Sequence, residues 1–114
     1  MPARDVLLVE DDTLVADAMC HLLRAWGLQV RHVETADEAL RQAEFGQIAI
    51  CDVRLPQGAS GVDVALQLRK AGKKVALLSG ETNALLRELA QKHQLLLLTK
   101  PVSSVKLRST LESL

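Results

Sequence analysis

The sequence predicts a doubly wound α/β fold: five parallel strands in the order 2-1-3-4-5, with helices on both faces of the sheet. Three observations carry that prediction. Short apolar runs alternate five times with stretches of helical spacing, the pattern of strand–helix units that build a parallel sheet. The runs Val6–Val9 and Ile48–Cys51 are apolar throughout, as strands buried on both faces must be, whereas Leu28–Val33 alternates apolar and polar like an exposed edge. Right-handed crossovers then place the first and third strands side by side at the centre, with the switch point of the topology between them.

The elements follow in order. Val6–Val9 ends in Glu10, Asp11 and Asp12. Leu14, Ala18, Leu22 and Val15, Met19, Leu23 recur at i, i+4, which predicts the inward face of a first helix. Asp12 or Thr13 is suited to cap its start and Gly27 its end. After the edge strand, Thr35 and Glu38 form a capping box for a second helix, with Ala39, Leu40 and Ala43 inward and Gly46 as its stop. The third strand, Ile48–Cys51, runs into Asp52, and Pro56 ends regular structure soon after. Gln57–Gly61 is read as loop. Ser60 with Asp63 opens a third helix carrying Val62, Ala65, Leu66 and Leu68, closed by Gly72. Lys74–Gly80 is the fourth strand, ending in the Ser79 hydroxyl. Thr82 is the expected cap of a fourth helix with Leu85, Leu86, Leu89 and Ala90 inward. Leu95–Leu98 is the fifth strand, leading to Thr99-Lys100-Pro101. Ser103 or Ser104 caps the last helix, with Leu107, Leu111 and Leu114 on one stripe.

Composition narrows the function. Fourteen basic and fourteen acidic side chains balance, so there is no electrostatic footprint for nucleic acid or an anionic membrane. No apolar run approaches the roughly 18 residues of a membrane span. The N-terminus has no basic-then-apolar leader, and Cys20 and Cys51 lack metal-ligand spacing, which predicts a reducing, cytoplasmic setting. With no linker, repeat or low-complexity stretch, residues 1–114 are read as one domain.

Four of the five strands end in a reactive group: Glu10-Asp11, Asp52, Ser79 and Lys100. Singly, each has a plain explanation: an acidic helix start, a turn residue or a solvated charge. At one sheet edge they converge where ligands bind in this architecture. Clustered carboxylates repel one another and recruit a cation, and hard oxygen donors suit Mg2+. A carboxylate beside such an ion can attack phosphorus and become an aspartyl-phosphate. The ion, the Lys100 ammonium and the Ser79 hydroxyl can then each neutralise one phosphoryl oxygen.

The stretches LLVEDD at 7–12, CDVRLP at 51–56, LLSG at 77–80 and TKP at 99–101 resemble, in order and spacing, the receiver domains of bacterial two-component response regulators. The resemblance implies a flavodoxin-like, CheY-like fold and a phosphorelay function. By resemblance Asp52 is the phospho-acceptor, Glu10 and Asp11 hold Mg2+, and the backbone carbonyl of Arg54 is a further metal ligand. Ser79 is the strand-4 hydroxyl and Lys100 the phosphate-binding lysine, while Asp12 is the helix cap. The implied partners are a histidine kinase or histidine phosphotransfer domain, and a second copy through helix 4, strand 5 and helix 5. The resemblance also implies a cis Lys100–Pro101 bond.

Departures accompany it. Leu97 stands where receivers carry Tyr or Phe, the loop 57–61 is one residue longer than the commonest form, and Lys92-His93-Gln94 replaces a Gly-Ala pair. With no aromatic ring on strands 4 or 5, transmission of phosphorylation is expected through Gly80–Asn83 and helix 4. Lys106, Arg108 and Glu112 on helix 5 are candidate partner contacts or an ordinary solvated face. The ending KPVSSVKLRSTLESL resembles receivers attached to hybrid sensor histidine kinases.

Other classes fit less well. An FMN-binding flavodoxin-like protein needs a phosphate loop after strand 1, where Glu10-Asp11-Asp12 would repel phosphate. A haloacid-dehalogenase-type phosphatase needs a second Asp two residues after the nucleophile, where Arg54 stands, and a cap domain. His21, His32 and His93 lie apart and form no phospho-acceptor motif, so the chain is not read as an enzyme or kinase in its own right. The alternative is a degenerate receiver that binds proteins without being phosphorylated.

Overall fold

A computed structural model describes residues 5–81 and 83–114. Strands and α-helices alternate as β1 (Asp5–Val9), α1 (Thr13–Ala25), β2 (Gln29–Val33), α2 (Ala36–Arg41), β3 (Ile48–Asp52), α3 (Gly61–Lys70), β4 (Lys74–Ser79), α4 (Ala84–Lys92), β5 (Leu96–Thr99) and α5 (Ser104–Ser113). A single 3-10 turn at Pro56–Gly58 links β3 to α3. All pairings between the five strands are parallel, in the order β2-β1-β3-β4-β5 that the sequence predicts.

Alternation of side chains along each strand splits the core in two. Leu7, Val9, Ala49, Cys51 and Leu77 pack on one face with Ala39, Val62, Ala65, Leu68 and Ala90 from α2, α3 and α4. Val6, Leu8, Ile50, Leu78 and Leu98 pack on the other with Met19, Leu23, Leu107 and Leu111 from α1 and α5. β3 is buried at every position, so Asp52 is carried into the interior by the strand that precedes it. Each fully buried leucine or isoleucine contributes roughly 1.5–3 kcal/mol, and this fixes the strand that aims the acid.

Most helix starts use the expected side chains. Asp12 accepts from the amides of Leu14 and Val15, Thr35 from Glu38, Ser60 from Asp63 and Ser103 from Lys106. α4 departs: Asn83 is its cap, accepting from Leu86 N–H at 2.8 Å, and Thr82 lies outside the described residues.

Several expected inward positions face out. Leu14 and Leu85 are 81% and 79% exposed, and Ala18 and Leu89 are exposed as well. The stripe of α1 that meets the sheet is Ala16, Met19, Cys20 and Leu23. Leu14, Ala18, Leu85 and Leu89 lie past the edge of what the sheet covers, whereas Leu22, on the same row as Leu14, packs against the core. α2 ends at Arg41, short of Gly46, because residues 42–45 turn through i→i+3 bonds, Gln42 to Ala39 and Phe45 to Gln42, towards β3. The fifth strand begins at Leu96, one residue later than expected, after Gln94 adopts a left-handed φ of 56°. Gly61, read as loop, is the first residue of α3.

Candidate functional site

The strand ends deliver the expected groups to one edge. Asp52 and Ser79 are the last residues of β3 and β4, and Glu10 and Lys100 stand one residue beyond β1 and β5. Backbone pairing continues past the strands and holds these positions. Glu10 donates to Val33 at 3.0 Å, Val53 to Leu78 at 2.9 Å and Lys100 to Ser79 at 2.8 Å. A cavity of about 520 Å³ opens above them, lined by Asp11, Asp52, Arg54, Ser79, Glu81 and Lys100 among others.

Glu10 is fully buried, and Asp52 and Ser79 are 5% exposed. Lys100 Nζ donates to Glu10 Oε1 at 2.7 Å and to Asp52 Oδ2 at 2.9 Å. The other Asp52 oxygen, Oδ1, accepts from the Arg54 amide at 3.2 Å. Both faces of the carboxylate are therefore oriented by donors. Ser79 Oγ accepts from Glu81 N–H at 3.0 Å and donates to the Glu81 carbonyl. The Glu81 carboxylate in turn meets Arg54 at 2.8 Å across the mouth of the cavity.

Electrostatics follow from this packing. Burial, and after it the neighbouring Asp52, pushes the Glu10 carboxyl up to about 7, with Lys100 pulling the other way. Burial opposes the Lys100 ammonium, but its two carboxylate partners outweigh burial and hold its pKa above the ordinary lysine value. Burial first, then Asp52 and Glu10, raise the Cys51 thiol to about 12, so it stays neutral and unreactive.

Glu10, Asp11 and Asp52 each offer a carboxylate oxygen within 4.8 Å of the others. Two of these carboxylates, Glu10 and Asp52, face the Lys100 ammonium, and among the described residues Glu10 Oε2 is buried without a hydrogen-bond partner. An orphaned, buried acid oxygen in an all-oxygen donor set fits a hard divalent cation such as Mg2+.

Residues 6–112 match the family described as the response regulator receiver domain. The chain belongs to that family. Among curated proteins, it is 34% identical over 77 residues to response regulator protein TmoT of Ectopseudomonas mendocina, a match covering 64% of this chain and 34% of TmoT. The chain thus spans about a third of the length of the curated relative it matches. Among solved structures, the signal receiver domain of a modulated diguanylate cyclase from Desulfovibrio desulfuricans G20 is 26% identical, with a TM-score of 0.87 over 98% of this chain and 93% of that one. A CheY-like receiver from Methanospirillum hungatei JF-1 shares the fold at a TM-score of 0.87 and 24% identity, over 98% and 93% of the two chains. Receivers are phospho-acceptor modules of two-component signalling, working with phosphodonor kinases.

Every side chain expected at this receiver's site is at the one edge, and the Lys100–Pro101 bond is cis. Arg54 is there too, with its amide on Asp52 and its guanidinium on Glu81. Glu81, expected only as part of the transmitting loop Gly80–Asn83, holds the Ser79 hydroxyl through its backbone, and Gly61 was not anticipated at the site. Gly61 lets α3 begin against the backbone of Asp52, since a Cβ there would lie 1.7 Å from the Asp52 carbonyl oxygen. A glycine directly after the cap Ser60, where almost any residue favours helix more, was the available signal.

Proposed function

We propose that Asp52 accepts a phosphoryl group from a phosphohistidine donor in the presence of Mg2+, with residues 1–114 acting as one receiver unit. The observation that carries this reading is the Lys100 ammonium bridging Asp52 and the buried Glu10, with one Glu10 oxygen left over. An Asp52 carboxylate oxygen forms the new O–P bond as the P–N bond of the donor breaks, and the imidazole leaves with a proton from solvent. Glu10, Asp11, Asp52 and the Arg54 carbonyl would hold the cation. When bound, it supplies positive charge for the phosphoryl oxygens. Lys100 turns from the carboxylates to one phosphoryl oxygen, and Ser79 gives up Glu81 to donate to another. The domain promotes its own phosphorylation and dephosphorylation and is otherwise not an enzyme.

The response passes through Glu81 and α4, with β5 nearly still. Supporting this, the Ser79 hydroxyl is bonded to Glu81 on both sides, while Leu97 is partly buried against the core. The output face is α4, β5 and α5, where Leu85, Leu89 and Leu96 are 79%, 37% and 39% exposed and suit a partner or a second copy. Arg108 is not part of that reading: it pairs with Glu112 at 3.4 Å and lies over the Trp26 ring, turned towards α1. A cytoplasmic place and a hybrid-kinase parent complete the reading.

The test is incubation with acetyl phosphate and MgCl2, followed by intact mass. The expected result is one phosphoryl adduct, lost in Asp52→Asn and without Mg2+. An adduct that survives Asp52→Asn overturns the assignment, and no adduct at all favours the phosphorylation-independent binding module. With beryllofluoride, backbone NMR shifts are expected at Gly80–Leu86; a large change at Leu96–Leu98 with a silent Gly80–Leu86 segment overturns the route.

A further inference from the structure

The ladder between β1 and β2 ends at Val9 and Val33. One further backbone bond, from Glu10 N–H to the Val33 carbonyl at 3.0 Å, holds the entering side of Glu10. Its leaving side is the Glu10–Asp11 peptide, where the chain turns off the sheet. There a side chain takes over: His32 Nε2 lies 2.6 Å from the Glu10 carbonyl oxygen. A carbonyl oxygen only accepts, so Nε2 carries the hydrogen and donates. His32 is opposite Leu8 in the register, and its ring extends past the last ladder bond to reach this peptide.

That peptide plane joins two acids in unlike surroundings. Glu10 is fully buried with Oε2 unpartnered, and Asp11 is exposed and outside the sheet. The plane fixes ψ of Glu10 and φ of Asp11, and with them the angle between the two Cα–Cβ directions. We infer that His32 is a positioning residue for this acidic pair: its Nε2–H locks the Glu10–Asp11 peptide and so presets the two carboxylates for a divalent cation. The inference rests on the metal reading of the site given above. Groups that orient ligands from behind tune affinity in this way, because a preset site loses less freedom when the ion arrives. A merely space-filling role for a half-buried residue of an edge strand would be met equally by an apolar side chain of similar size.

The experiment is an MgCl2 titration of the full chain by NMR, comparing the parent with His32→Leu and His32→Gln. The glutamine keeps an N–H donor at similar reach and the leucine does not. In His32→Leu the Mg2+ dissociation constant is expected to rise about tenfold, with the Asp11 amide and Glu10 carbonyl shifts displaced before metal is added. His32→Gln is expected to recover most of the affinity. If His32→Leu does not fold, His32→Asn, too short to span the contact, takes its place. Parent-like Mg2+ affinity in the leucine variant overturns the role, as does a glutamine variant as weak as the leucine one. A parent protein with no Mg2+ response overturns the metal reading itself and this role with it.

Discussion

The two ends of the sheet each bury an ionic group, and they do so in opposite ways. At the carboxyl end, Lys100 is enclosed by the carboxylates of Glu10 and Asp52. At the amino end, Lys73 is 3% exposed and donates to the carbonyls of Phe45 and, at 2.8 Å, Gly46. Neutral carbonyls do not compensate burial, so the Lys73 pKa is lowered, whereas the carboxylates around Lys100 raise its pKa. Each end also has a glycine without room: Gly61 against Asp52, and Gly46, at φ +76°, where a Cβ would come 2.6 Å from the Asp5 carbonyl oxygen. Burial of a charge is thus not what marks a site. The carboxyl end differs in holding more acid than its lysine neutralises and in leaving Glu10 Oε2 without a partner.

Four substitutions sharpen that comparison. Gly61→Ala is expected to have the largest effect, because backbone on both sides must shift to relieve the overlap. A loss of about 3 kcal/mol in urea unfolding is expected, together with loss of phosphoryl acceptance. Gly46→Ala combines a positive φ with a closer-than-contact approach and is expected to cost about 2 kcal/mol. Its Mg2+ response should remain, since the amino end carries no part of the site. Parent-like stability in Gly61→Ala, or a lost Mg2+ response in Gly46→Ala, would break the contrast between the ends.

The third variant removes the surplus acid. Glu10 titrates at about 7 in the folded chain against an ordinary 4.5. The folded protein keeps a proton that the unfolded chain has released, so this contribution is fully present below pH 4.5 and is lost as pH rises through about 7. Glu10→Gln is expected to exceed the metal-free parent at pH 8 by on the order of 1–2 kcal/mol, and to converge with it near pH 4. Its thermal midpoint should no longer rise with MgCl2. The smallest effect is expected for Lys73→Met, which removes a desolvated charge but strands two carbonyls. A net loss of about 1 kcal/mol is expected, with the Mg2+ response of the thermal midpoint intact.

Residues adjacent in sequence made much of this legible. The order of strands and helices follows from local periodicity, and the fully apolar third strand specifies its own burial. Glu10, Asp11, Asp52, Ser79 and Lys100 could be placed together because each ends a strand, and parallel strands end at a common edge. The caps Asp12, Thr35, Ser60 and Ser103 act on amides two or three residues away, so spacing alone reveals them.

Tertiary structure decided what depends on a neighbour's reach. Leu14, Leu85 and Leu89 satisfy helical spacing, yet the sheet does not extend far enough to cover them. Gly61 lies against Asp52 only because α3 starts beside the end of β3. Lys73 is buried by carbonyls from the α2–β3 turn, and Glu81 meets Ser79 and Arg54 through loops that converge above the sheet. The Glu10–His32 contact joins residues 22 positions apart. The sequence by itself determined which groups reach the sheet edge, because strand period and chain order are local properties. Only packing decided how those groups are held, because that depends on distances between segments that no local pattern encodes.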